Sequence, residues 1–293
     1  MRGSGWIIPG LLAALCLAGC RGLAPQVPPG DVAGSIPVRF LVSFDDGPSA
    51  AARNNSTARI LDVLAHNRYQ PGIKAIFFVQ TRHPVGGGTA VGQALLARIH
   101  EEGHVVGLHT ASARGHINHT QMPIAELDRT LDDGIVDIRA ITGAAPRFLR
   151  PPYWAHNDAT VARYRAHGLT MLLDDISIRD GKVRGYTSNP KARSRIRADL
   201  ARAARRIERG ELPALGDYIP LVLTLHDTNP TTARDLEAYL GMLISEARAV
   251  GLAVHAEPFV SPAPELARVA AARGAGPALA QGGLQRAQVV MLP

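Results

Sequence analysis

Asp45 and Asp46 stand side by side where a β-type run, Val38 to Phe44, gives way to Gly47-Pro48. Two adjacent carboxylates at the end of a buried strand repel each other and resist desolvation unless a cation lies beside them. A metal that takes one and leaves the other as a base satisfies both. Further along, His109, Arg150, Asp174 and His226 each close a segment of strand character. One aspartate and two histidines offer the O and N donors of a catalytic zinc or a related first-row ion, with positions left for water and substrate. A second carboxylate, a histidine outside that shell and an arginine complete a set suited to metal-assisted attack of water on an acyl carbon. The plainer reading of Asp45-Asp46-Gly47 is a strand-ending turn.

The elements that must position these residues are legible in the hydrophobic pattern. Residues 38–44, 74–81, 105–109, 147–150, 169–174, 221–226 and 252–256 read as strands. Residues 57–67, 92–102, 124–142, 158–167, 191–209 and 232–250 read as helices, and Gly143 and Gly251 suit helix C-termini. Strands alternating with helices imply a parallel sheet. About seven such repeats favour a single-domain α/β barrel or near-barrel over an open doubly wound sheet. In such barrels the C-terminal ends of the strands form one rim where loops converge, and the polar residues named above share it.

A chain of 293 residues with 46% hydrophobic content can bury one large core. The net charge of +7 points to anionic surroundings such as phosphate-bearing polymers or lipid head groups. No nucleic-acid recognition motif accompanies the basic residues, so no nucleic-acid partner is expected. The Arg-rich stretch with Arg193, Arg195, Arg197, Arg202, Arg205, Arg206 and Arg209 reads first as a solvated helix face. Its sharper reading is a contact with anionic polymer or membrane.

Near the N-terminus, Arg2 precedes an apolar run from Trp6 to Leu17, too short to span a bilayer comfortably. Leu17-Ala18-Gly19-Cys20 then resembles the lipobox of bacterial lipoproteins. That resemblance implies a signal peptide over 1–19, a lipid on Cys20, and a cell-envelope location anchored on the periplasmic side of a bacterial membrane. An ordinary secretory signal is the alternative. Cys16 and Cys20 are the two cysteines of the chain, so the fold is expected to have no disulfide. Residues 20–35 suit a tether and 261–293, rich in Ala, Gly and Pro, a low-complexity tail, which leaves 36–260 as the catalytic domain.

Three motifs in order resemble the polysaccharide deacetylases of carbohydrate esterase family 4. The family's T-F-D-D-G-P reads here Ser43-Phe44-Asp45-Asp46-Gly47-Pro48, its R-P-P-Y reads Arg150-Pro151-Pro152-Tyr153, and its L-x-L-H-D reads Leu223-Thr224-Leu225-His226-Asp227. The resemblance implies a distorted (β/α)7 barrel. It implies Asp45 as general base, Asp46 as a metal ligand, Arg150 as the partner that orients Asp45, and His226 as general acid. Leu225 would line the pocket for the acetyl methyl. Tyr153 and Trp154 would border the substrate, and the Tyr153 N–H would face the oxyanion. A divalent metal is expected, zinc foremost, with cobalt, nickel and manganese as alternatives.

Two motifs depart from the pattern. The family's second histidine ligand falls four residues after the first, but Ala113 stands there. The sequence after His116 resembles the segment after that ligand, which makes His116 the expected third ligand with His109 and leaves His119 as the alternative. In an unbroken helix that seven-residue spacing would separate the side chains by about 10 Å, so the loop must be irregular. The family's D-x-x-D-W is reduced here to Asp174-Asp175-Ile176-Ser177-Ile178. Neighbouring strand residues face opposite ways, and Asp174 is the one expected to hold the His226 tautomer. The expected reaction is removal of N-acetyl groups from a sugar polymer such as peptidoglycan, chitin or poly-N-acetylglucosamine. An O-acetyl esterase, or a glycan-binding lipoprotein with impaired catalysis, are the alternatives.

Overall fold

Every residue of strand β1 (Val38–Asp45) is buried, and the chain is wrapped around it. A computed structural model describes residues 35–182 and 188–275. Residues 1–34, where a signal peptide and most of a tether are expected, lie outside the described residues. After β1 come α1 (Ser56–His66), β2 (Ile76–Gln80), α2 (Ala90–Glu101), β3 (Val105–Thr110), α3 (Ile124–Thr142) and β4 (Phe148–Leu149). The second half holds α4 (Asp158–Ala166), β5 (Thr170–Met171), β6 (Ile176–Ser177), α5 (Ala192–Glu208), β7 (Ile219–His226), α6 (Pro230–Ala249), β8 (Val254–Phe259) and α7 (Ala263–Ala275). Local chemistry starts and stops the helices. Asn55, Thr89, Asn157 and Asn229 accept N-terminal amides of α1, α2, α4 and α6, and Gly143 ends α3 in the left-handed conformation.

All pairings are parallel, in the order β5-β4-β3-β2-β1-β7-β6. Strand β8 pairs with the first residues of β1, while β2 pairs with its last, so the two share one edge of β1. This is a curled parallel sheet, the near-barrel that the alternating pattern implied and of the distorted (β/α)7 type that the resemblance implied. Among the described residues β5 and β6 do not pair, and the curl stays open there.

Strand alternation divides the core in two. Phe40, Val42 and Phe44 face the helices with Leu221, Leu223 and Leu225 of β7 and apolar residues of α1 and α6. Leu41, Ile76, Phe78, Phe148 and Val222 face the inside of the curl. There they meet Leu266, Val269 and Ala270 of α7, all 0% exposed. Part of the segment read from composition as a tail is therefore core. Its short apolar residues fall on one helical face, and an Ala-rich composition hides that stripe. Arg39, on the inner side of β1, fastens the junction: its guanidinium donates to Glu257 O and Phe259 O, pairs with Glu265, and lies 4.8 Å from the centre of the Tyr218 ring.

One expected strand is shorter than its pattern: of residues 169–174 only Thr170–Met171 form a strand, β5, which pairs with β4, and a further strand, β6, follows at Ile176–Ser177 and pairs with β7. Leu172 to Asp175 cross from one edge of the sheet to the other. Asp175 pins the crossing: its N–H donates to Val222 O, while its carboxylate accepts from Val222 N, Arg206 and Arg273. Most arginines of α5 are similarly engaged. Arg193 and Arg197 pair with Glu246 and Arg202 with Asp199, and Arg209, just past the helix, pairs with Glu211.

If α7 is core, Leu266→Ala should lower unfolding free energy by about 2–5 kcal/mol in a denaturant titration, the usual range for truncating a fully buried leucine. A loss below about 0.5 kcal/mol, typical of surface substitutions, would show that the helix is an appendage.

Candidate functional site

Two inner-face positions of β1 reach the rim, and a turn adds a third group. Ser43 and Asp45 point inward, and the register sets Asp45 directly across from His226 at the end of β7. Asp46 then takes φ 73°, a left-handed conformation that Asp tolerates better than most residues. Gly47 follows because nothing larger fits: a Cβ there would lie 2.0 Å from Asp227 Oδ2.

Arg150 enters from the end of β4 and is fully buried. Its Nη1 donates to Asp45 Oδ1 and to Ser43 Oγ, each at 2.8 Å, and its Nε donates to Leu172 O at 3.0 Å. The guanidinium carbon lies 4.3 Å from the centre of the Phe78 ring. Arg150 therefore holds Asp45 by a buried hydrogen bond.

Asp46, His109 and His116 converge, with one donor atom of each lying within 4.8 Å of the others. Asp46 Oδ1 is 3.3 Å from His109 Nε2 and 3.5 Å from His116 Nε2. His109 Nδ1 lies 2.7 Å from Arg150 O and must donate to it, which leaves a lone pair on Nε2. That Nε2 is buried and makes no hydrogen bond. A lone pair facing a carboxylate oxygen is unfavourable with nothing between them and natural with a cation between them. The O, N, N donor set fits zinc or a related ion with positions left open. Burial alone would raise the Asp46 pKa, but the three imidazoles of His109, His116 and His226 hold it well below the usual carboxylate range. Burial also lowers His116 to about 4, so it stands neutral as a ligand must.

The loop after β3 is irregular, as the spacing required. It returns through Gly115, φ 81°, to bring His116 over His109, with ring centroids 5.0 Å apart. His119 goes elsewhere. It is fully buried with its Nδ1 2.9 Å from Tyr164 Oη, and burial lowers it to about 3.

His226 is held by Asp180, and the expectation that Asp174 does this is corrected. Asp180 Oδ1 lies 2.8 Å from His226 Nδ1, and Oδ2 accepts from His226 N at 2.8 Å and from Thr232 Oγ1 at 2.6 Å. Burial would lower the imidazole, but the Asp180 carboxylate overrides it and raises His226 to about 9. Asp174 lies in the crossing segment before β6, whereas Asp180 follows β6, the strand next to β7. Burial raises Asp174 to about 6 against the opposing pull of Arg150. The sequence did carry a signal for Asp180: an Asp-Gly pair just after the β-branched run at Ile176 to Ile178. A Cβ on Gly181 would approach the His226 ring to 3.0 Å, so this glycine permits the close contact.

Leu225 is a second correction. Its neighbour His226 faces the site, so Leu225 faces the helices, fully buried with Phe44 and Leu223. Thr224 is the residue that shares the inner face with His226. Tyr153 is 57% exposed, with its ring 4.2 Å from that of His116. Trp154 is half-buried beside it, and both adopt positive φ. Ser43, Gln80 and Thr232 also belong to the site and escaped the sequence reading, because each acts through a hydrogen bond to another side chain.

The model of the polysaccharide deacetylase family matches residues 38–172. A chitin deacetylase from Pestalotiopsis sp. is 29% identical over 178 residues, 58% of this chain and 55% of the relative. A peptidoglycan-N-acetylglucosamine deacetylase from Bacillus cereus is 33% identical over 112 residues, 38% of this chain and 35% of the relative. The chain thus spans about half or less of the length of these curated relatives. In fold it is similar to the chitin deacetylase of Colletotrichum lindemuthianum, with a TM-score of 0.56 at 19% identity over 75% of this chain and 85% of that one. Residues 38–172 are thus similar to the polysaccharide deacetylase family in sequence, and the fold is similar to that of a solved chitin deacetylase.

Proposed function

We propose that the chain is a metal-dependent N-deacetylase of an N-acetylated sugar polymer. The observation that carries this reading is the flanking of the Asp46–His109–His116 donors by two differently tuned groups: Asp45, held by Arg150, and His226, held by Asp180. A divalent cation held by those three residues would supply Lewis acidity and make water a better nucleophile at neutral pH. The remaining work belongs to the side chains. Asp45, fixed by Arg150 and Ser43, takes the proton of the water that adds to the acetamide carbon. His226, raised to about 9, is protonated at neutral pH and gives its Nε2 proton to the departing amine. Amide cleavage needs that proton, because an amine anion is a very poor leaving group. Asp180 holds Nδ1 and stabilises the charged ring. Tyr153, exposed beside His116, offers a face on which a sugar ring can stack.

Incubation with chitooligosaccharide, peptidoglycan and poly-N-acetylglucosamine should release acetate and leave a free amine. Release from an O-acetylated polymer alone would make the protein an esterase, and no release in any metal-loaded form would leave a binding role. His226→Ala should lower kcat by roughly 10²–10⁴-fold, the usual contribution of general acid–base catalysis, and a fall below about tenfold would remove it from the acid role.

The Asp180 partnership has its own readout. A histidine raised on folding stabilises the fold fully below its unfolded value of about 6.5 and loses that contribution as pH rises through the folded value. That folded value is about 9 here. In metal-free Asp180→Asn, NMR titration of the His226 ring should therefore show a midpoint clearly below that of the unsubstituted protein, since the strongest raising partner is gone and only Asp45 and Asp46 still oppose burial. A midpoint unchanged from the unsubstituted protein would contradict the role given to Asp180.

Anchoring through Cys20 is part of the same proposal, supported by Leu17-Ala18-Gly19-Cys20. Cys20→Ala should shift the protein from the membrane fraction to the soluble one, and continued sedimentation with membranes would rule out a lipid on Cys20.

A further inference from the structure

Gln80 closes β2 on the inner face and is 4% exposed. Its Nε2 donates to Asp46 Oδ1 at 3.0 Å, the same oxygen that faces His109 and His116. Its backbone N–H donates to Gly47 O at 2.8 Å. One residue thus grips the Asp46-Gly47 turn by main chain and by side chain. The orientation of the amide is not arbitrary: an ionised carboxylate only accepts, so the nitrogen must face Asp46 and the oxygen must face away. That Oε1 is buried without a hydrogen-bond partner among the described residues. It lies 3.7 Å from where a Cβ on Gly115 would stand, under the loop that carries His116.

The strand pairing is arranged for this contact. Val79 pairs with Leu108 and Gln80 with Thr110, so β3 carries one extra residue, His109, at that point. Such a bulge bends the strand and re-aims side chains. Here it brings His109 and Gln80 to the same carboxylate from neighbouring strands.

We infer that Gln80 is the positioning residue of the candidate metal site: it holds Asp46 with Oδ1 toward the two ligand histidines. Asp46 Oδ2 is 3.9 Å from His226 Nε2. Without the amide, the carboxylate is free to turn toward that ring and away from His109 and His116. Gln80 therefore sets metal affinity without touching the metal. The inference rests on the metal-site reading proposed above.

The test is zinc affinity of the metal-stripped protein, measured by competition with a chromophoric chelator. Gln80→Met removes the donor at similar volume, and Gln80→Asn keeps the amide but shortens its reach by one methylene. Both should weaken zinc binding about 10–100-fold, the usual effect of removing a group that orients a metal ligand. The melting temperature of the metal-stripped variants should stay close to that of the unsubstituted protein, which separates positioning from unfolding. Affinity within about threefold in both variants, with His109→Ala losing zinc, overturns the role of Gln80 and leaves the metal site standing. Failure of the unsubstituted protein to bind zinc, or retention of zinc by His109→Ala, overturns both.

Discussion

Arg150 is a full positive charge with none of its surface in contact with water. A guanidinium in such a place needs well-placed acceptors, and here Asp45 and Ser43 meet Nη1 and Leu172 O meets Nε, with the Phe78 ring beneath, while Nη2 has no hydrogen-bond partner among the described residues. Removing one member of a buried ion pair costs about 3–5 kcal/mol, because the survivor is left uncompensated. Whole domains are stable by only about 5–15 kcal/mol. The residue that orients the proposed base is therefore part of what keeps β1, β4 and the crossing segment together. Geometry at Asp45 and stability of the sheet are one property in this protein.

The same inner space holds more acid than it can ionise. Asp45 is paired with Arg150 and Asp180 with His226, while Asp46 faces three imidazoles. Asp174 and Asp227 lack such partners. Burial pushes them to about 6 and about 7, and repulsion from Asp45 and Asp46 respectively adds to the rise. Burial without a cationic partner thus drives Asp174 and Asp227 toward neutrality, which sorts roles by environment among chemically identical groups. A bound divalent cation would ease the crowding around Asp46, and it explains why a lone pair on His109 is kept aimed at a carboxylate oxygen.

Much of this was legible in the sequence because it depended on strand ends. Asp45, Asp46, His109, Arg150 and His226 each follow a short apolar run, and parallel strands bring such ends to one rim. What was lost depended on events that leave no local pattern. The move from the edge of β4 to the edge of β7 takes place within Leu172 to Asp175, and it carried the partner of His226 from Asp174 to Asp180. Leu225 was misplaced although the alternation rule, applied from His226, places it on the helix side. The helix α7 was hidden by composition, since a stripe of Leu266, Val269 and Ala270 among alanines resembles filler until a cavity inside the sheet demands it.

The loop between His109 and His116 shows how a metal site can tolerate a changed spacing. A helix would fix the two side chains at a distance set by the helical rise, and seven residues would be too many. A loop fixes only its ends, here the bulged end of β3 and the turn at Asn118 to Met122, and the intervening residues need only avoid steric conflict. Gly115 meets that demand: it takes positive φ, and a Cβ on it would approach the His83 ring to 2.7 Å. His119 then becomes available for another task. Set against Tyr164 in the core and kept neutral by burial, it adds no positive charge beside two imidazoles that must stay neutral to bind a cation. A protonated histidine at that depth would oppose the metal electrostatically, so the burial that disqualifies His119 as a ligand also protects the site that His116 completes.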